Sequence, residues 1–449
     1  MNKKRWALLL LCVLLILGYI KFFYKTYSVT VVPKSADYIV ALDVKRITNT
    51  VIWNIITTPS QWKKVSFSSS HKDEVSWKDM VKLPDYVLAF HVNDQPAGIW
   101  YTVAEIKDND DFAKGLHQYQ FQKLDSNIYA SKETGIQFYK HDDKLLITNA
   151  PATNNDYLLQ VANELFTQKE FVAKQTLEKA IDAKSHLAIY IPSNNLLQEA
   201  TVINGNFDKT TIEINCALSP KKQFGFTENN FSYNSNSLCM LGFTQPSASV
   251  LSLFSYTDKE NISKAINTNF DSLFLQTNRN YTVDLSAIKP RIDSAISYSY
   301  DDNFNQVEKK VVNTVEEPSF NFVITGDSVS NIYNYCQHNN KLESTEDGAL
   351  FKPMPFVKSY CSKRSATELA ITAANYQASA TDKTTSAVLF FNLLFNKIPN
   401  DLLKYLPDDI IKATANMESV QLKVYKEKEQ LHLDCIFQKK HNDLPVINW

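Results

Sequence analysis

The run Trp6–Tyr24, WALLLLCVLLILGYIKFFY, constrains this chain more than any other stretch, because it is too apolar to be stable in water. Its only charge is Lys21, whose long side chain can reach the membrane interface while Phe22 and Phe23 lie among the headgroups. A helix needs about 20 residues to span a bilayer. The sequence therefore predicts a transmembrane signal anchor over residues 6–24.

The charges before this run set its predicted orientation. Lys3, Lys4 and Arg5 form a basic tail over residues 1–5, which the positive-inside rule places in the cytoplasm. Residues 25–449 are then exported. A cleaved signal peptide begins in the same way, but the run has no A-x-A-like cleavage site after it, so a retained anchor is favoured. A buried globular helix is the remaining alternative.

Composition argues against several chemistries. The formal net charge is −1, and no basic stripe interleaved with aromatic residues occurs, so we expect no nucleic-acid partner. The chain has only 9 glycines, and no two of them lie close enough to form a phosphate-binding loop. The sequence also lacks a G-x-S-x-G nucleophile elbow. We therefore expect no nucleotide and no cofactor.

The cysteines are widely spaced. Of the 6 present, one lies in the apolar run. The other five are widely spaced and odd in number, so they do not indicate a disulfide framework. Export to an oxidising compartment would permit a bridge between Cys336 and Cys361. Reduced, buried cysteines are the favoured interpretation.

Apolar patterning predicts a sheet-rich exported region. A polar stalk over 25–35 leads to a first lobe, 36–182, and an enlarged second lobe, 183–449. Helical spacing predicts helices at 47–56, 110–116, 157–166, 171–181, 262–274 and 328–336, and a helix start at 193–197. Strands are predicted at 36–44, 86–92, 99–105, 127–130, 136–140, 145–149, 186–191, 211–218, 223–226, 238–243, 292–300, 307–315, 320–325, 369–373, 387–394, 420–425 and 431–437.

Two stretches resemble each other. Residues 98–116, GIWYTVAEIKDNDDFAKGL, and 319–336, SFNFVITGDSVSNIYNYC, both read as a strand, an acidic turn and a helix. They close in LLITNA at 145–150 and LAITAA at 369–374. The sequence thus predicts two related lobes with an α+β fold, made of mostly antiparallel sheets with helices packed on one face.

Groups that could hold a metal ion are too small. Cys336 and His338 offer two ligands, whereas a structural zinc site needs four, so a helix-end cysteine and a solvated histidine are expected. The run His141–Asp143 reads as a solvated turn between strands. Asp301-Asp302 and Asp408-Asp409 are interpreted as turn and helix-start acids. We predict no metal-binding residue.

No catalytic residue is predicted either. Asp43 ends an apolar strand, where it is either a carboxyl group with a raised pKa or, as favoured, the cap of the next helix. His91 and His186 are expected to be half-buried strand residues. A Ser/His/Asp hydrolase assembled in space stays open. The many aromatic residues favour core packing over an apolar cleft for a lipid or peptide.

The apolar run, the opening SADYIVALDV (35–44) and the repeated strand–Asp–helix units give the chain a resemblance to a known class. It resembles the uncharacterised single-pass envelope proteins of Gram-negative bacteria. That resemblance implies a location in the inner membrane, with the C-terminal region periplasmic, and no site residue. We expect a membrane-tethered, non-enzymatic binding or scaffolding module with an envelope protein or lipid as partner. The alternatives are a carrier of an apolar ligand in a cleft between lobes and an anchored hydrolase.

Overall fold

The computed structural model describes residues 24–57, 75–152, 155–222, 225–265, 270, 279–300, 306–354, 357–378, 380–403, 407, 411 and 414–440. These residues form two compact units. The first ends at Ser219, and the second runs from Pro220 to Lys440. The predicted change of lobe lies earlier, at 182/183, before strands that pair within the first unit.

The first unit is built on one antiparallel sheet with the strand order β11-β10-β9-β1-β3-β4-β8-β7-β6-β5, and β2 pairs with the end of β4. Its strands are β1 (Ala36–Asp43), β2 (Val81–Lys82), β3 (Tyr86–Val92), β4 (Tyr101–Ile106), β5 (Gln122–Lys123), β6 (Ile128–Ser131), β7 (Ile136–His141), β8 (Lys144–Thr148), β9 (Leu187–Ile191), β10 (Thr201–Phe207) and β11 (Thr211–Leu218). Its α-helices are α1 (Val44–Thr57), α2 (Trp77–Met80), α3 (Asn109–Gln118), α4 (Asn155–Ala162) and α5 (Lys174–Ile181), and a π-helical segment, Asn163–Gln168, continues α4.

Helices pack on both faces of this sheet, not on one face as predicted. Successive residues of a strand point to opposite faces. Leu146 of β8 packs with Leu158 of α4 and Leu177 of α5, whereas its neighbour Leu145 packs with Phe112 of α3. Strand β8 therefore carries apolar side chains on both of its faces, as expected for a strand that is covered by helices on both sides.

The segment predicted as a stalk packs against the first unit. Val32 is fully buried in the core cluster of that unit. The hydroxyl and the backbone N–H of Ser35 both donate to the carboxylate of Glu164, and the backbone N–H of Val172 donates to the carbonyl of Val32. Residues 28–35 therefore belong to the folded unit, since a buried apolar side chain and several hydrogen bonds join them to it.

The second unit has an antiparallel sheet in the order β23-β22-β21-β13-β14-β15-β19-β18-β17-β16, beside a separate pair, β12 with β20. Its strands are β12 (Asn229–Tyr233), β13 (Cys239–Thr244), β14 (Arg279–Tyr300), β15 (Gln306–Gly326), β16 (Leu342–Thr345), β17 (Gly348–Phe351), β18 (Ser359–Ser365), β19 (Glu368–Ala373), β20 (Lys383–Ala387), β21 (Leu389–Leu394), β22 (Met417–Glu427) and β23 (Gln430–Lys439). The α-helices described in full in it are α6 (Ala248–Leu251), α7 (Tyr256–Ala265), α8 (Val329–His338) and α9 (Asn400–Leu403).

The two sheets follow the same order along the chain. In each, a central strand is joined through helices to a hairpin of two strands, β3–β4 or β14–β15, which is followed by a helix and a four-strand meander. Three more strands then return to the other side of the central strand, as β9–β11 or β21–β23. The similar stretches 98–116 and 319–336 occupy equivalent places, because β4 and α3 correspond to β15 and α8.

The predicted fold class needs correction, because helices cover both faces of the first sheet and no membrane-spanning helix occurs among the described residues. The described residues are dominated by antiparallel sheet, with 46% of them in strands and 24% in helices. Within the described ranges, no helix is both long enough and apolar enough to cross a membrane. The segment predicted to do so, 6–24, lies outside the described residues except for Tyr24.

Candidate functional site

An open cleft of about 900 Å³ lies in the first unit, between α1 and the ends of strands β9 to β11. Most of the side chains that face it are polar or charged. Its lining includes Lys25, Arg46, Thr50, Trp53, His186, Phe207, Asp208, Lys209 and Glu213.

Asp43 fixes the start of the helix that forms one wall of this cleft. It is the buried last residue of β1, and its Oδ1 accepts a hydrogen bond of 2.8 Å from the backbone N–H of Arg46. The predicted capping role is thereby confirmed. The Lys25 ammonium group also contacts this carboxylate, and burial followed by the charge of Asp43 raises the pKa of Tyr86 to about 12.

His186 is buried at the back of the cleft rather than half-buried as predicted. Its ring stacks on Phe207 with centroids 4.0 Å apart, and its Nδ1 accepts a bond of 3.4 Å from the backbone N–H of Phe207. Burial, and next the positive charge of Arg46, lower the pKa of His186 to about 4. The neutral ring therefore carries its proton on Nε2 and donates it to Thr50 Oγ1 at 2.7 Å.

This protonation pattern decides what His186 can do. A general base must accept a proton from its nucleophile. Here the only lone pair of the neutral ring faces a backbone N–H, and Nε2 already donates to Thr50. The pair therefore has the form of a structural hydrogen bond.

The turn between β10 and β11 places a cation in the cleft. Burial would raise the pKa of Asp208, but hydrogen bonds from the backbone N–H groups of Thr210 and Thr211, at 2.7 and 2.8 Å, lower it overall. Such an Asx-type turn fixes the backbone on both sides of Lys209. The Lys209 side chain lines the cleft beside it.

The outer face of α1 is apolar and exposed. Trp53 and Ile56 are each 64% exposed, and Ile52 lies on the same face. Trp53 also lines the cleft, so an aromatic side chain stands at its rim. Among the described residues, neither Arg46 nor Lys209 has a counter-ion within ion-pair distance. The cleft thus combines an accessible aromatic ring with three cationic residues, Lys25, Arg46 and Lys209, and with the carboxylates of Asp208 and Glu213.

The structure separates the residues that the sequence grouped as metal-ligand candidates. Cys336 is buried in the core beneath α8, whereas Nδ1 of His338 lies 2.7 Å from the carbonyl of Asn334 on the surface. Cys336 and Cys361 share this core as free thiols, and burial raises the pKa of Cys361 to about 12. The expected helix-end cysteine and solvated histidine are confirmed.

The acidic candidates behave as turn residues where they are described. His141 ends β7, and Asp142 has a φ of 51°, which is a left-handed turn conformation, so the predicted turn is confirmed. Asp301-Asp302 and Asp408-Asp409 lie outside the described residues. In the part of the chain that is described, no group of three potential ligands is placed to hold a metal ion.

Sequence reasoning missed one buried polar pair. His91 of β3 is buried, and its Nδ1 lies 2.7 Å from Asp37 Oδ1 while its Nε2 lies 3.2 Å from the carbonyl of Pro96. Both ring nitrogens therefore face oxygen acceptors. The available signal was a charged or polar residue, Asp37 or His91, within each of two apolar strands, which does not by itself show that β1 and β3 are neighbours.

Comparison of this chain with protein-family models, characterised proteins and solved structures finds no match.

Proposed function

We propose that this protein is a non-enzymatic binding module, and that the cleft beside α1 receives a carboxylate-bearing segment of a protein partner. The observation that carries this proposal is the exposed Trp53 beside Arg46, whose guanidinium has no counter-ion in the described part of the chain. Aromatic and arginine side chains are enriched in protein interfaces. Location at the periplasmic face of an inner membrane stays a prediction from the sequence.

The chemistry of the cleft favours a polar segment over a lipid. Sites for apolar ligands are lined mainly by hydrophobic side chains. This cleft is lined by Arg46, Asn49, Asn206, Lys209 and Glu213 among others, and Trp53 and Phe207 are its two large aromatic side chains. An acidic side chain next to an apolar one matches both features, since the carboxylate would meet the cations and the apolar group would meet Trp53.

The same geometry disfavours the hydrolase alternative. Thr50 is the hydroxyl nearest a histidine in the cleft, but Nε2 of His186 is a donor to it. A nucleophile needs the reverse arrangement, in which the imidazole accepts the hydroxyl proton. The proposal is therefore one of binding without turnover.

The test uses short end-blocked peptides in which one Asp or Glu adjoins one Phe or Leu, with Asn and Gln versions as uncharged controls. Binding is followed by tryptophan fluorescence and by calorimetry. We expect saturable binding of the acidic peptides only. Arg46→Gln and Trp53→Ala should each weaken it by roughly 10- to 100-fold, since a charge-assisted contact or a buried aromatic anchor is lost.

Two matched variants control for general effects of charge and apolar loss. Lys132→Gln removes an exposed cation from the turn after β6, and Leu159→Ala removes an exposed apolar side chain from α4. Both should bind like the unmodified chain. Peptides should be recovered intact by mass spectrometry. Equal binding of charged and uncharged peptides would contradict the proposed site, and cleaved peptides would contradict a non-enzymatic function.

A further inference from the structure

Strands β14 and β15 extend beyond the sheet of the second unit as a two-stranded ribbon. β13 pairs with β14 only as far as Leu285, and β19 pairs with β15 only from Asn321 onward. Beyond these points, 287–300 pairs with 306–319, and neither segment has another strand beside it in the described part of the chain. The free edge is roughly 45 Å long. Such an edge offers N–H and C=O groups to an incoming strand.

The ribbon also exposes apolar side chains on one face. Ile292, Ile296 and Val312 are 76%, 61% and 59% exposed. They share a face, because Ser294 pairs with Val312 and lies between the two isoleucines on β14. A lone two-stranded hairpin is only marginally stable in water, whereas a sheet of three or more strands can be stable. A further strand at the edge would therefore stabilise the ribbon.

The outer edge of β15 is complementary to a second copy of itself in charge and apolar pattern. Residues 309–317 read KKVVNTVEE, with two lysines at one end, two glutamates at the other and Asn313 in the middle. When two copies run antiparallel about Asn313, Lys310 lies opposite Glu316 and Val311 lies opposite Val315. Opposite charges and β-branched pairs are the favourable cross-strand neighbours in a sheet.

Other registers lose this match. In an antiparallel pair, directly opposite residues point to the same face of the sheet. The two-fold axis must therefore pass beside a residue and not between two residues, so the alternative registers are centred on neighbouring residues. Centring on Val312 sets Glu308 against Glu316, and centring on Thr314 sets Val312 against Glu316. Parallel, in-register pairing sets Lys310 against itself. Only the register about Asn313 opposes unlike charges at both ends.

Two charged residues, Lys310 and Glu316, support this register, whereas the buried Glu317 already accepts a hydrogen bond from Asn375 and lies 3.8 Å from Arg291. Lys310 is exposed and forms no ion pair with another described residue. Oε2 of Glu316 is buried without a hydrogen-bond partner in the described part of the chain. Glu316 as a residue is half-buried, so a lysine from a second copy can approach its carboxylate group. Pro318, which has no N–H to donate, follows the matching run and ends it.

We infer that two copies of this chain associate through the outer edges of their β15 strands, antiparallel and centred on Asn313, to form a four-stranded sheet. The occupant of the edge is a second copy because the run 309–317 is complementary to itself in charge and apolar pattern. This inference goes beyond the proposed function and does not depend on it, since it uses no residue of the cleft.

Disulfide trapping tests the register. Directly opposite residues in an antiparallel pair have Cα atoms about 4.5–5.5 Å apart, within disulfide range. We expect the full-length Asn313→Cys chain, in mild detergent because of its apolar run, to form a cross-linked dimer on mild oxidation. Ser297→Cys, on the other edge of the ribbon, should stay uncross-linked. No dimer from Asn313→Cys, or equal dimer from both variants, would overturn the inference.

Charge exchange tests the partner. Lys310→Glu and Glu316→Lys each oppose like charges twice in the dimer, so each should weaken association about 10-fold or more at low salt. The double variant should restore it, because the charges are exchanged. Mixing the two single variants should give mixed dimers, since every charged pair is then attractive. Mixed dimers also show that both variants are folded.

Glu308→Lys is the matched control for these variants. It reverses a charge on the same strand and face, but position 308 lies opposite Pro318 in the proposed register, so association should be retained. Sedimentation velocity measures all of these chains. A monomeric unmodified chain would overturn the inference, and so would a dimer that neither Lys310→Glu nor Glu316→Lys weakens.

Discussion

His186 couples the stability of the first unit to pH. Its pKa is about 4 in the folded state against 6.5 for the free side chain, so the unfolded state binds more protons between these values. The contribution to stability is full above pH 6.5 and is lost as the pH falls toward 4. We expect the free energy of unfolding to fall by roughly 2–3 kcal/mol over this range. Urea denaturation at several pH values measures it.

His186→Gln and His338→Gln form a matched pair for this prediction. The first removes the buried imidazole and should flatten that part of the pH dependence, even though the loss of its contacts with Thr50 and Phe207 lowers stability at every pH. The second removes an exposed imidazole of α8 and serves as the control for the loss of a histidine. The same slope in His186→Gln as in the unmodified chain would refute the prediction.

Single residues were predictable from the sequence where their partners are local. The capping role of Asp43 follows from a strand that runs directly into a helix, so both partners lie within three residues of each other. The state of His186 was not predictable, because Arg46 and Phe207 reach it from α1 and β10. A low pKa of this origin depends on strand order, which no local pattern contains.

Among the elements, β13 depends on a close approach at Gly242. A Cβ at this position would lie 2.7 Å from Cδ1 of Phe231, a buried ring of β12, so the small pair β12–β20 packs directly on the glycine. Overpacking a core costs about 1–3 kcal/mol. We expect Gly242→Ala to lower the free energy of unfolding by that amount in chemical denaturation.

Gly98→Ala is the control for the backbone effect, because nothing lies within 4 Å of a Cβ at that position. Its free energy of unfolding should be unchanged or slightly higher, since alanine restricts the unfolded chain. The double variant with Phe231→Leu and Gly242→Ala should lose less free energy of unfolding than the sum of the two single variants. The smaller side chain at position 231 makes room for the added methyl group at position 242. Additive costs would contradict a direct contact.

Elements were predictable where apolar periodicity is strong and unreliable where polar side chains bond to nearby backbone. Strand β3 falls at the predicted residues, 86–92. The helix predicted to start at 193–197 is wrong, because Asn194 Oδ1 accepts from the N–H groups of Leu196 and Leu197 and forms a turn instead. The pair predicted at 292–315 is much longer, since β14 begins at Arg279 and β15 ends at Gly326.

At the scale of the whole molecule, the sequence indicated mostly antiparallel sheet but not how the sheets are covered. The return of β9–β11 to β1 involves Leu42 pairing with Leu187, a contact between residues far apart in sequence. Periodicity identifies strands but does not show which of them are neighbours. The cleft could not be predicted for the same reason, because α1 and β9–β11 form its walls only after this long-range pairing.

All the strands of the second sheet, from β23 at one edge to β16 at the other, lie within the second unit, Pro220–Lys440. Its main core lies around Ile324 and Val329, which belong to β15 and α8. A sheet with its own core can fold as a unit. We therefore expect residues 220–440, expressed alone, to unfold in one cooperative thermal transition by far-ultraviolet circular dichroism. Residues 220–374 should show none, because β13 then lacks its neighbour β21 and the small pair lacks β20. A cooperative transition in the shorter fragment, or none in the longer one, would contradict the second unit as an independent folding unit.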